Sequence, residues 1–451
     1  MLREAVYSIA GFVLLAYAAE WILSLFDDPR EPKRLQSKVP LFGHLWVAIF
    51  NTKLYIAKTS RLIPLIQKTS KTLSFRPFMQ TAAKLMGDAK PETFEVFGTE
   101  WVDSFSHAHK NGLATGPFLD EQNLRMGDRA LIDIEQLLPT EKDGVSKINL
   151  LEWAQKWQSY LPLHMVNLDI TGKGYAARQI VFDAFRKYNK NLPSDVSFIY
   201  KERLRSMQEA GIDEDDICKQ QATFGTAAFA NTVPIMYWTI YELFSRPDLL
   251  EEVRKEVIEQ AVSGDKESGF KVDVAALKTK CPLALSVFQE TQRLRHVHAN
   301  IRKVTEDTLL DGKYLLKAGH YVMMPGQPVH TNTSTWGPTA DQFDPYRFTK
   351  DSSDRKASSF VAWGAPPHLC PARQFATTEI LIVIALLAVR GDITPVKGEW
   401  VKNPALNTGD MATVYTPKKS VEVEVRKREE WDGEWSLRMG ESKTRISLAS
   451  G

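Results

Sequence analysis

The stretch FVAWGAPPHLCPARQFATTEILIVIALLAV, Phe360 to Val389, sets a cysteine where its sulfur could do chemistry. Cys370 follows a Gly/Pro-rich loop and precedes a long apolar run that reads as a helix over Pro371–Val389. Pro371 would occupy the first helical position, where its missing N–H is harmless and its fixed φ suits the helix. A sulfur at that point faces free N–H groups and the positive end of the helix dipole. These features predict a lowered thiol pKa and a thiolate fit to ligate a metal or to attack as a nucleophile. A buried, inert cysteine is the plain alternative, and this segment alone leaves both open.

Two further patterns carry chemistry. Glu290 and Arg293, in QETQRLR, lie three apart and share one helical face. An isolated pair of this kind is ordinarily a solvated surface contact worth under about 1 kcal/mol. Downstream, FDPYRF sets Arg347 between Pro345 and Phe348 among aromatic and turn residues. The run TFGTAAFANTVPIMYW, Thr223–Trp238, is rich in small residues and places Asn231 before Thr232. A mid-helix threonine usually bonds back to a carbonyl. Pro234, however, cannot donate to the carbonyl of Ala230 and bends the helix locally, which leaves an acceptor beside Thr232 where a water could be held.

The elements that must position these residues are mostly helical up to about Ala299. Helices are expected over Leu119–Leu138, Ala176–Lys190 and Glu214–Ser245, the last containing Gly225 and Pro234, with an early strand at Leu54–Ala57. Beyond Arg302 the texture shifts to short strands, Leu309–Leu315 and Tyr321–Met324, and later Ala412–Tyr415 and Val421–Val425. Lys427–Gly451 is polar and expected to fray. The fold class is mainly α with a small β region.

Composition narrows the function. Lys+Arg total 57 against Asp+Glu 55, which removes the electrostatic case for nucleic acid. Cys218, Cys281 and Cys370 form no Cys-x-x-Cys pair, against both a disulfide framework and a cysteine-rich zinc site, and fit a reducing compartment. Val6–Phe26 is almost wholly apolar and about as long as a bilayer span, interrupted by Glu20. No small-x-small cleavage site precedes DDPREPKR, so a membrane anchor is expected over a signal peptide or a buried helix. Arg30, Lys33, Arg34 and Lys38 favour a cytoplasmic body. The organisation expected is an anchor at 1–28, a proline-containing linker at 29–43, a catalytic body at 44–426 and a polar tail at 427–451.

With these three motifs in order, the chain resembles the cytochrome P450 superfamily, and more narrowly the branch containing cholesterol 7-alpha-hydroxylase and prostacyclin synthase. The resemblance implies the P450 fold behind a transmembrane helix, and a heme b (iron protoporphyrin IX) ligated by Cys370. His368 and Arg302 would bind its propionates, and Trp363 matches the aromatic that opens the cysteine motif. Glu290, Arg293 and Arg347 match the family's buried carboxylate–guanidinium network. Thr232 would steady the reacting oxygen and Asn231, standing where the family usually has an acid, would help order water. The implied activity is hydroxylation of a lipophilic sterol or terpenoid-like molecule, with electrons from NADPH-cytochrome P450 reductase, at the endoplasmic reticulum membrane. An NADPH-independent isomerase or dehydratase acting on a peroxide, and a degenerate non-catalytic haem protein, are the rivals. Three departures stand out. Pro366 and Ala372 replace glycines of the cysteine motif, and no Trp-x-x-x-Arg helix is evident, leaving His107, His109 and Lys110 as candidates for its work. The chain is also shorter than is usual, between His44 and Tyr55 and between Trp157 and Lys173.

Overall fold

A computed structural model describes residues 52–156, 173–349, 357–365, 368–408, 413–440 and 445–450, with part of 11–33. Most of Val6–Phe26, residues 34–43 of the linker, residues 157–172 and Pro366 lie outside the described residues. Among the described residues no helix is long and apolar enough to cross a membrane.

The helices that bear on the site are α1 (Arg76–Leu85), α2 (Trp101–Gly112), α3 (Pro117–Leu137), α4 (Lys173–Lys190), α5 (Phe198–Glu209), α6 (Glu214–Phe229), α7 (Thr232–Phe244), α8 (Pro247–Ala261), α9 (Val274–Lys280), α10 (Pro282–Arg295) and α11 (Arg373–Arg390). Proline in the first turn starts α1, α3, α8 and α10, where no N–H is missed. Asp273 caps α9 by accepting the Ala276 N–H at 3.0 Å. Every residue of α7 is buried, as is nearly all of α11. ILIVIALLAV is apolar on every face, so such a helix must lie inside, and α11 packs against α3, α8, α9 and α10.

Among the described residues twelve strands follow the same logic. β1 (Leu54–Ile56), β2 (Leu73–Ser74), β6 (Ala299–Val304) and β9 (Tyr321–Pro325) form a sheet ordered β1-β9-β6-β2, with β1 parallel to β9 and the other pairs antiparallel. β3 (Ser146–Asn149), β10 (Gly391–Pro395) and β11 (Glu422–Lys427) make a second sheet. β7 (Thr308–Leu310) and β8 (Tyr314–Leu316) pair as a hairpin around Asp311-Gly312, both at positive φ.

The sequence expectations need correction in several places, and Leu309–Leu315, expected as one strand, is instead the end of β7, a turn and the start of β8. The expected helix Glu214–Ser245 is two, α6 and α7, parted at Ala230–Asn231. A hairpin, β4 (Val262–Asp265) and β5 (Gly269–Asp273), interrupts the stretch read as helical, turning at Asp265, whose carboxylate accepts from the N–H groups of Glu267 and Ser268. The described residues of the tail do not fray. β12 (Trp435–Arg438) adds to β5 in parallel, and Ile446 and Leu448 are buried in the main core. Polar composition hid the aromatic and aliphatic anchors spaced along it: Trp431, Trp435, Leu437, Ile446 and Leu448.

Candidate haem site

The cysteine loop is built by one strained residue and two short backbone bonds. Gly364 sits at φ +92°, and a Cβ there would meet the His368 carbonyl at 2.9 Å, so only glycine fits. The Cys370 N–H donates to the Trp363 carbonyl at 2.7 Å, and the His368 N–H to Ala365 at 3.2 Å. Pro371 is not the first helical residue. Ala372 caps α11, its carbonyl accepting the Ala376 N–H at 2.8 Å, and Pro371 lies in the turn before it. Ala372 has φ −85°, so no glycine is needed there.

The thiol also departs from expectation. Burial pushes the Cys370 thiol up, against the smaller downward pull of the Ala372 N–H and the Arg373 guanidinium. The half-buried cysteine is thus a thiol until a metal supplies the positive charge, since a coordinating thiol is deprotonated outright.

Beside the loop, alternation along β6 turns Asn300 and Arg302 to the same buried side. Arg302 donates only to carbonyls, Ile301 at 2.8 Å and Ala365 at 3.0 Å, and no carboxylate among the described residues pairs with it. Burial pushes its guanidinium down to about 10. His368, lowered to about 4 by burial and then by Arg302, stacks near Phe75, whose ring also carries Arg302 at 5.2 Å. Arg76 and Lys110 contribute to the same positive field. Arg76 is already paired with Asp103 at 2.7 Å, whereas Lys110 is exposed on α2. Sequence reasoning missed Arg76. Its signal was the adjoining Phe75 and Pro77, which begin α1 next to the cysteine loop.

The other two candidates on α2 do different things. His107 is exposed and bonds back to Asp103. His109 accepts from Arg203 and is lowered to about 3 by burial and that guanidinium. Arg203 in turn is held by Gln221 at 2.8 Å and packs over Phe224 at 4.4 Å.

Glu290, Arg293 and Arg347 come together in the interior. Arg293 grips both oxygens of Glu290 at 2.7 Å, and Arg347 Nε donates to Oε1 at 3.0 Å. Glu290 and Arg293 are both 0% exposed, so this is a desolvated bidentate pair rather than a surface contact. Their remaining donors go to carbonyls of His330, Ala340, Trp336 and Thr339, which ties α10 to the segment before the cysteine loop.

Asn231 and Thr232 stand at the α6–α7 break. Pro234 is the third residue of α7, where its missing N–H costs little because the helix begins two residues earlier. Asn231 Oδ1 accepts from Thr413 Oγ1 at 2.8 Å, a partner 182 residues away that sequence patterns did not reveal. Thr232 is buried at the start of α7.

A haem's two propionates are carboxylates, and Arg302 is a buried guanidinium without one. Trp363 Nε1 and Asn300 Nδ2 are buried and have no hydrogen-bond partner among the described residues. These residues fit the cofactor.

The cytochrome P450 family profile matches residues 156–422. The cytochrome P450 monooxygenase nodJ of Hypoxylon pulicicidum is 29% identical over 98% of this chain and 98% of its own. A cytochrome P450 monooxygenase of Gibberella zeae is 25% identical over 92% of each, and the cytochrome P450 monooxygenase poxD of Penicillium oxalicum is 23% identical over 95% of this chain and 100% of its own. The chain belongs to the cytochrome P450 family, and within it is a monooxygenase, an oxidoreductase whose cofactor is haem.

Proposed function

We propose that the protein hydroxylates a lipophilic small molecule, of sterol or terpenoid-like class, using electrons that NADPH-cytochrome P450 reductase delivers. The observation that carries the site is the buried, carboxylate-free Arg302 beside the Cys370 loop. Cys370 would ligate the haem iron through its sulfur, and Arg302 and His368 would hold the propionates, with Lys110 reinforcing them from α2. When bound, the haem supplies oxygen activation, assisted by electron donation from the thiolate. Thr232 Oγ1 offers a hydroxyl at the start of α7, and Asn231, held by Thr413, orders water beside it. Glu290, Arg293 and Arg347 fix the frame behind the loop.

The apolar Val6–Phe26 supports an anchor in the endoplasmic reticulum membrane, with 29–43 as linker and 44–426 as a catalytic body on the cytoplasmic side. An apolar substrate would partition into the bilayer that anchor holds.

The test is the reduced, carbon monoxide-bound absorbance spectrum, with and without Cys370→Ser. A red-shifted Soret band is expected in the wild type and its loss in the variant; a band that survives the substitution overturns the reading. A second reading draws on Asn231, an amide where proton delivery would want an acid: peroxide isomerisation without NADPH. Turnover of an endoperoxide with no reductase present would put that reading first.

A further inference from the structure

The tail beyond β11 lies outside the residues matched to the family, yet its segment Arg445–Ser450 packs on the first turn of α11, just after the cysteine loop. From β12, Trp435 packs its ring under Arg390 at the C-terminal end of α11, and Leu437 covers Gly127 of α3 beside Ile382. Gly440 passes Ala275 at the start of α9. The chain then reaches the N-terminal end of α11. There Gln374, the second residue of that helix, clasps both backbone groups of one tail residue, Ile446. Its Oε1 accepts the Ile446 N–H at 2.8 Å and its Nε2 donates to the Ile446 carbonyl at 3.0 Å. Three residues on, the Ala449 N–H donates to Gln289 Oε1 at 2.7 Å, next to Glu290. Ile446 is 1% exposed, so this is a dry contact.

We infer that the segment Arg445–Ser450 positions Cys370, acting through Gln374 on the first turn of α11. The chain of contacts is short. Arg373 adjoins Gln374 and donates from Nη1 to the Cys370 carbonyl at 3.2 Å. A clasp that fixes Gln374 therefore fixes the turn from which the cysteine loop hangs. A side-chain amide matched to the N–H and carbonyl of one residue fixes that residue's position, whereas apolar cover alone would tolerate many. The inference rests on Cys370 as the haem ligand.

The experiment follows the reduced carbon monoxide complex of the full chain as its red-shifted band decays to the unshifted form, alongside the thermal midpoint. Gln374→Leu is expected to speed that decay about ten-fold. Gln374→Glu, which keeps the acceptor and loses the donor, falls between it and wild type. Leu437→Ala is the control: it loosens the same tail away from the loop, lowering the midpoint while leaving the decay rate unchanged. Should Gln374→Leu fail to fold, Gln289→Leu is read instead, and a few-fold faster decay is expected. Decay at the wild-type rate in the glutamine variants, or equally fast decay in Leu437→Ala, overturns the positioning role. A wild type that never shows the red-shifted band overturns the haem reading itself, and the two failures are thereby told apart.

Discussion

Single side chains decide the sign of several expected effects. Arg302 is a buried cation whose hydrogen bonds, among the described residues, go only to carbonyls. Removing it should weaken haem binding, since a hydrogen bond to a charged group is worth roughly 1.5–3 kcal/mol. The same change relieves the haem-free chain of an unpaired charge. Arg302→Met is therefore expected to lower haem retention about ten-fold or more, while the unfolding midpoint of the apoprotein stays level or rises. Haem transfer to a scavenger globin and calorimetry measure the two. Glu290 behaves oppositely. Glu290→Gln strands Arg293 and Arg347 in the interior, a loss of roughly 3–5 kcal/mol in denaturant unfolding. These residues were legible because each belongs to a motif only a few positions long. Arg203 against His109 and Thr413 against Asn231 were not, because 94 and 182 residues separate the partners.

At the level of elements, the cysteine loop contrasts two glycine-like positions. Gly364→Ala forces a Cβ to within 2.9 Å of the His368 carbonyl at φ +92°. Loss of haem occupancy is expected, measured as the ratio of Soret to protein absorbance. Ala372→Gly, at φ −85°, relieves nothing and costs about 0.5–1 kcal/mol of stability through added backbone freedom. Helix positions were readable from periodicity and proline to within a turn. The break at Ala230–Asn231 was foreshadowed only as a bend, because whether Pro234 kinks one helix or opens a second depends on what binds Asn231. The β4–β5 hairpin stayed hidden because its partner strand, β12, arrives from the far end of the chain.

Taken whole, the molecule buries imidazoles in neutral form. His330 accepts the Val361 N–H at Nε2 and is lowered to about 3 by burial and by Arg293; His109 lies at about 3, and His296 well below its ordinary value. A histidine depressed on folding stabilises fully above its unfolded pKa and loses that contribution as pH falls toward the folded one. Glu379, raised to about 7 by burial, works in the opposite sense and cancels one of them. His368, lowered to about 4, acts with the other imidazoles, so stability should fall as pH drops from about 6.5 to 4.5. Urea midpoints that hold steady over that interval would contradict this account.

The docking of Arg445–Ser450 against α11 also bears on biosynthesis. During translation the thiol-bearing loop emerges some eighty positions ahead of the residues that brace it, so the braced pocket can close only after Ser450 has cleared the ribosome tunnel, leaving haem capture as a late event. Ser450 itself is only 4% exposed, so once the segment is docked its backbone is shielded from proteases that would otherwise cut an unbraced strand.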